Sequence, residues 1–165
     1  MEAPSWRRGD IELAAARSSD WPALASLRYV YLYDDQPPQA TSATSWWSQL
    51  WALPVVVRRG GDLVGYLRTA RAAPDSLRCE LRAGFAEIVG DGAVAAPAAR
   101  LYVALLFSTL PLHRLHLEVP DDGDGAAFAR ALLEAGFREE GHYPSLTPPH
   151  ASAVTVLGVL RRDVP

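Results

Sequence analysis

The chain contains neither lysine nor asparagine, so all 16 of its basic residues are arginine. Both missing residues are encoded by codons beginning AA. Their joint absence therefore marks a GC-rich coding bias, and a missing asparagine is not by itself a lost functional group. There is one cysteine, Cys79, which excludes an internal disulfide and fits a reducing compartment. Its surroundings, "SLRCELR", alternate as a strand does, so a half-buried structural thiol is expected there. The opening "MEAPSWRRGD" has no apolar core of the kind a secretion signal carries. No apolar run approaches bilayer length; "LYVALLFSTLPL" has the length of a buried helix. A net charge of -3 and a pI near 5.8 provide no basic footprint for nucleic acid. The four histidines and the single cysteine show no metal-ligand spacing, and neither a GxSxG elbow nor a Walker loop is present. A cytoplasmic protein without metal, nucleic-acid or membrane partners is expected.

What is present suits one globular domain spanning 1–165, with 1–9 expected as a flexible N-terminal segment. Its 165 residues, 49% of them hydrophobic, suffice for a proper core. "IELAAAR" (Ile11 to Arg17) begins as a strand. "SSDWPALASLRYVYLY" follows as a helix, with Ser18 to Asp20 as caps, Pro22 in the first turn, and Leu24, Leu27 and Leu32 as an apolar stripe. "DDQPPQATSAT" breaks it, and "TSATSWWSQLWAL" suggests a second, short helix. "PVVVRR", the Gly60-Gly61 turn with Asp62, and "LVGYLRTAR" form a hairpin signal. "SLRCELRAGFA" (Ser76 to Ala86) is a further strand. "GDGAVAAPAARLYVALLF" (Gly90 to Phe107) leads into a helix near Pro97, where a missing N–H loses little. "RLHLEVP" alternates as a buried strand, and "DDGDGAAFARALLEAG" is a helix stopped at Gly136. "FREEGHYP" and "SAVTVLGVL" close the chain as strands. The order β-α-α-β-β-β-α-β-α-β-β implies an α/β (α+β) domain, a mixed twisted sheet of six to seven strands with about four helices.

That order, with "LHRLHLEV" ahead of "ALLEAGFREEG", resembles the GNAT N-acetyltransferase superfamily, and in particular the branch acetylating ribosomal-protein N-termini, antibiotics and small amines. The resemblance spans nearly the whole chain. Its most specific piece is "AGFREEG" (Ala135 to Gly141), similar to the family's "LGF-x-x-EG" junction of helix and strand. It implies acyl transfer from acetyl-CoA, or another acyl-CoA, to an amine of a small molecule or peptide N-terminus. Such a site has its own physical logic. A strand that splays from its neighbour offers unpaired amides to the pantetheine arm. The following turn and helix start direct N–H groups and a positive dipole end at a pyrophosphate. The cofactor-binding residues so implied are Phe85, Ala86, Glu87, Gly90, Asp91, Gly92, Ala93, Val94, Ala95 and Ala96, with Gly125 and Phe128 on the next helix.

The family pattern Q/R-x-x-G-x-G/A places Gly90, Ala93 and Ala95 here, so that Gly90 stands for the basic or amide side chain and Ala93 for the first glycine. An ordinary strand-to-helix connection rich in small residues is the alternative. The pattern N-x-x-A-x-x-x-Y on the second helix becomes Gly125, Phe128 and Leu132. A large ring stands where a small residue usually lets the arm pass, and no hydroxyl occupies the general-acid place.

Aminolysis of a thioester needs a deprotonated amine, a stabilised oxyanion and a protonated leaving thiolate. Glu80 falls where the branch carries a strand glutamate and is the catalytic candidate as base; the alternative is a solvent-facing strand residue. Glu87 is second choice. For the acid, Tyr143 and His142 are the nearest candidates, while His113 and His116 are expected as satisfied structural histidines. The acceptor pocket would draw on Tyr33, Asp34, Trp46, Trp47 and Tyr143, with Asp35 beside them; core tryptophans and helix-ending aspartates are the alternative. A GNAT-fold protein with altered or lost acyl-CoA use, either another enzyme or a ligand- or partner-binding module, is the competing expectation. Monomer and homodimer both remain open.

Overall fold

The computed structural model describes residues 5–29, 55–73, 78–87, 93–121, 123–144 and 153–164. Its strands are β1 (Ser5–Arg8), β2 (Ile11–Ala15), β3 (Arg28–Tyr29), β4 (Val55–Arg59), β5 (Asp62–Ala73), β6 (Arg78–Phe85), β7 (Arg114–Pro120), β8 (Arg138–Pro144) and β9 (Ala153–Leu160). Its α-helices are α1 (Trp21–Leu24), α2 (Ala95–Thr109) and α3 (Gly123–Glu134). All the strands join one nine-stranded sheet in the order β1-β2-β4-β5-β6-β7-β9-β8, with β3 added to β6. β6 and β7 run parallel, connected through α2, and the other pairs are antiparallel.

The strand count exceeds the expected six to seven because of β1 and β3. Within 1–9, expected as a flexible segment, Ser5 to Arg8 form the strand β1. Gly9 takes φ 63° and turns the chain, so that Ser5 to Arg8 pair with Ile11 to Ala14 and Trp6 packs on the core. β3 corrects the first helix, which was expected to run on to Tyr33. The Asp20 carboxylate accepts the Arg17 N–H at 2.8 Å, and a 3-10 turn at Ser18–Asp20 leads into α1. The α-helix then stops at Leu24. Ser26 turns its hydroxyl onto the Ala23 carbonyl at 2.8 Å, a local bond that competes with helix continuation, and the aromatic and β-branched "RYVY" favours extended backbone. Leu24 and Leu27 are buried as expected. The second expected helix, Thr41 to Leu53, lies outside the described residues.

The hairpin β4–β5 turns through Gly60 and Gly61, at φ 60° and 100°. Two positive φ values fit a two-residue turn of the type that matches strand twist. The main core lies between one face of the sheet and helices α2 and α3. Cys79, Leu81, Ala83 and Phe85 of β6 and Leu115, Leu117 and Val119 of β7 face Ala98, Tyr102, Leu106, Phe128 and Leu132. A smaller cluster, Ala14, Leu24, Leu27, Val56 and Tyr66, forms under α1 on the opposite face. Asp20 is buried beside it and pairs with Arg58 at 2.5 Å.

Candidate active site

The pairing of β6 with β7 covers three rungs, Arg78 with Arg114, Cys79 with Leu115 and Glu80 with His116. Beyond Glu80 the strands part. β6 stays paired to β5 from Leu81 to Phe85; its other edge meets β3 at Gly84 and Phe85, and from Leu81 to Ala83 that edge has no partner among the described residues. β7 meanwhile continues against β9 up to Pro120. Among the described residues β6 and β7 therefore splay, with the apex at Glu80.

Side-chain alternation divides the apex between two faces. On the face away from α2 and α3, Glu80 is buried at 8% exposure. Its registered neighbour His116 is half-buried, and the His116 Nδ1 has no solvent access and no hydrogen-bond partner. Burial, then the Arg114 charge, lowers the basicity of His116, against opposing effects from Glu80, the Cys79 backbone and Glu118. Glu118 follows two residues along the strand and accepts the Tyr143 hydroxyl. Arg114 pairs with Glu140. Glu80, His116, Glu118 and Tyr143 thus form a polar row across β6, β7 and β8. His142, expected beside Tyr143 as an acid, is exposed and bonds Asp121 at 3.0 Å. His113 is exposed, and Glu87 likewise.

On the core face, Cys79 is fully buried; burial, then the Glu80 charge, pushes its thiol up to about 12. It is a protonated structural thiol, more deeply buried than the half-buried position expected from its sequence surroundings. The Phe85 and Phe128 rings sit 5.9 Å apart between β6 and α3, both fully buried. Leu132 is buried below them. Gly125 is buried at the start of α3, where any Cβ would strike the Pro120 carbonyl. Position 125 therefore has no room for a side chain able to reach a cofactor arm, and the missing asparagine is a packing requirement of this α3–β7 junction.

α2 begins at Ala95, two residues before the expected start, and its N-cap Val94 makes no side-chain cap. Pro97 occupies the first turn and the first helical N–H groups have no intrahelical partner. Ala93 and Ala96 are half-buried, Val94 and Ala95 buried, and Ala86 exposed. Gly90, Asp91, Gly92, Tyr33, Asp34, Asp35, Trp46 and Trp47 lie outside the described residues. A cavity of about 460 Å³ lined by Trp6, Leu101, Phe107 and Arg161 lies over the outer side of α2, and no sequence-derived site residue lines it.

The mixed sheet has one parallel pair, β6 with β7, which parts at a buried carboxylate, and the start of α2 follows β6. The chain has the GNAT fold. It is similar to spermidine N-acetyltransferase from Vibrio cholerae in complex with CoA and spermine, at 16% identity and TM-score 0.71 over 94% of this chain and 98% of that one. It is also similar to a GNAT-family acetyltransferase from Bacillus anthracis, at 15% identity and TM-score 0.68 over 96% and 99% of the two chains. In sequence it matches no protein-family model and no curated protein. These likenesses show the fold.

An acyl-CoA is the group this fold implies. The β6 edge at Leu81 to Ala83, which has no strand partner among the described residues, would suit an amide-bearing arm, and the start of α2, where Val94 supplies no side-chain cap, would suit an anion. The closed contact of Phe85 with Phe128, and β3 on Gly84 and Phe85, bound that fit at the inner end of the splay. His116 is the residue that sequence reasoning passed over. Its signal was the alternation in "HRLHLEV", which puts it on the polar face, but only the β6–β7 register reveals that it stands against Glu80.

Proposed function

We propose that the protein is an N-acyltransferase that uses an acyl-CoA to acylate a primary amine of a small molecule or a peptide N-terminus. The observation carrying this reading is the position of Glu80, buried at the apex of a splay between β6 and β7, with the start of α2 following β6. The bound thioester supplies an electrophilic acyl carbon. Glu80 takes the proton of the incoming ammonium directly or through water, and the polar face holding His116, Glu118 and Tyr143 receives the amine. Tyr33, Asp34, Trp46 and Trp47 are proposed to complete the acceptor pocket. Phe85, Ala86, Glu87 and the stretch Gly90 to Ala96 are proposed to hold the cofactor, with Gly125 and Phe128 shaping its inner wall. No side chain is assigned as acid for the leaving thiolate, since Leu132 supplies no hydroxyl and Tyr143 is engaged with Glu118. A cytoplasmic protein, monomeric or homodimeric, fits this reading.

The Phe85–Phe128 contact supports a second reading, in which the fold is retained with altered or lost acyl-CoA use. Differential scanning fluorimetry with millimolar acetyl-CoA and CoA separates the two. A thermal shift with both, followed by free-thiol release across a panel of amines, is expected for the acyltransferase. The absence of any shift, with no competition by longer acyl-CoAs, would remove it.

A further inference from the structure

His116 and Glu80 occupy the last shared rung before β6 and β7 separate. Parallel register puts their side chains on the same face, at the point where the sheet opens. Glu80 is buried, and the His116 Nδ1 is shielded from solvent without a hydrogen-bond partner. A buried imidazole nitrogen left without a partner is costly unless the site uses it. The charged surroundings of His116 come from every neighbouring strand. On β6 these are the Glu80 carboxylate and, as a polar neighbour, the Cys79 backbone. On β7 they are Arg114 on one side and Glu118 on the other. On β9 the registered residue is Gly158, over which the Glu140 carboxylate of β8 lies. Tyr143, also on β8, is held by Glu118. The Glu80 charge is felt on both sides of this rung, since it favours the charged imidazole and disfavours the Cys79 thiolate.

We propose that Glu80 and His116 form one proton-accepting pair, in which the proton released by an acceptor ammonium is shared between carboxylate and imidazole rather than held by Glu80 alone. The inference rests on the acyl-transfer reading for the source of that proton. The step balances simply: one N–H bond of R–NH3+ breaks, one N–H or O–H bond forms within the pair, and the amine keeps the electron pair it needs for attack. The positive charge passes from the substrate to a site beside two carboxylates, Glu80 and Glu118. Solvent on the open side of His116 then receives the proton.

Two readouts test the pair, and the first needs no turnover. In the full-length protein labelled at histidine, the His116 imidazole resonance, assigned with His116→Gln, is titrated in wild type and in Glu80→Gln. Removing the carboxylate is expected to lower the His116 midpoint by about one pH unit, the scale of a close opposite charge. An unchanged midpoint overturns the pair. The second readout is the pH profile of kcat/KM for whichever amine is turned over. His116→Gln is expected to lower kcat/KM at least about tenfold and to displace the acidic limb of the profile, with KM for the acyl donor unchanged. A profile of wild-type shape and height overturns the pair while leaving the acyl-transfer reading standing. A coupled titration with no turnover across the amine panel supports the pair and removes the acyl-transfer reading. If His116→Gln does not fold, His113→Gln, His142→Gln and His150→Gln assign the remaining resonance by elimination, and the midpoint in Glu80→Gln still decides.

Discussion

The Phe85 and Phe128 rings meet 5.9 Å apart at an interplanar angle of 43°, joining β6 to α3 beside the wedge that opens beyond Glu80. One ring belongs to the strand that splays and the other to the helix beneath it. Their contact replaces the small residue that the family pattern puts on that helix. Phe128→Ala is expected to cost about 3–5 kcal/mol of stability, as truncation of a buried phenylalanine does. It is also expected to tighten CoA binding if the ring obstructs the arm. Thermal denaturation and isothermal titration, run on the same variant and on Phe128→Leu, separate the two effects. Weakened CoA binding in both variants would show that the ring forms part of the site wall.

Gly125 offers a test in which two forces oppose each other. In an exposed helix, Gly→Ala stabilises by about 1 kcal/mol. Here the added Cβ would meet the Pro120 backbone carbonyl, which cannot move aside as a flexible side chain would. Gly125→Ala is therefore expected to destabilise by about 1–3 kcal/mol, the usual range for overpacking, and Gly125→Asn by more. A rise in melting temperature for the alanine variant would overturn the close approach of α3 to β7.

Most strands were legible because their alternation is strong. "RLHLEVP" coincides with β7 residue for residue, and the Gly60-Gly61 turn supplies its own backbone signal. Failures occurred where tertiary context outweighs local pattern. Arg28 and Tyr29 sit within a sequence that continues an apolar helical stripe, yet their backbone is taken by the free edge of β6. Ser5 to Arg8 carry too few residues to signal a strand, and become one because β2 offers an edge. Glu80 was singled out through resemblance, but the residue registered against it, His116, was not. Alternation excludes a one-residue slip, which would turn Leu115 and Leu117 onto the polar face, but a two-residue slip would have put Arg114 or Glu118 against Glu80, and sequence periodicity does not choose between those registers. The meaning of Gly125 was equally hidden, because an approach to Pro120 involves backbone that no motif describes.

Cys79 provides a chemical probe of the apex. The thiol is buried and pushed up to about 12, by burial first and by Glu80 second, so the reactive thiolate is scarce in the folded protein. Iodoacetamide near neutral pH is expected to leave the native protein unmodified and to label it fully in denaturant. With one cysteine in the chain, intact-mass spectrometry reads the result without peptide mapping. Rapid labelling of the native state would place Cys79 outside the core formed by β6, β7 and α2.

Asp20 anchors the start of α1 to β4. Its carboxylate takes the Arg17 N–H at 2.8 Å and the Arg58 guanidinium at 2.5 Å, with side-chain exposures of 7% for Asp20 and 22% for Arg58. Removing one partner of a fully buried pair costs about 3–5 kcal/mol, and the partial exposure of Arg58 reduces that. Asp20→Ala is expected to cost about 2–3 kcal/mol, measured by urea unfolding. A loss below about 0.5 kcal/mol would class the contact with ordinary surface pairs.

His116 gives the chain a defined acid sensitivity. Burial, and after it Arg114, lowers its folded pKa below the ordinary 6.5, so the unfolded chain binds more protons here than the folded one. The stability contributed by the neutral imidazole is therefore complete above the unfolded value and is lost as pH falls through the folded one. Glutamine carries no charge at either end of this range. His116→Gln should thus show a smaller fall in melting temperature than wild type between about pH 8 and about pH 5, whatever its stability at the upper pH. The comparison cancels carboxylates common to both proteins, Glu80 and Glu118 included. An equal or larger fall in the variant would mean that His116 is not held neutral by burial, and that Glu80 and Glu118 together outweigh the desolvation of the ring.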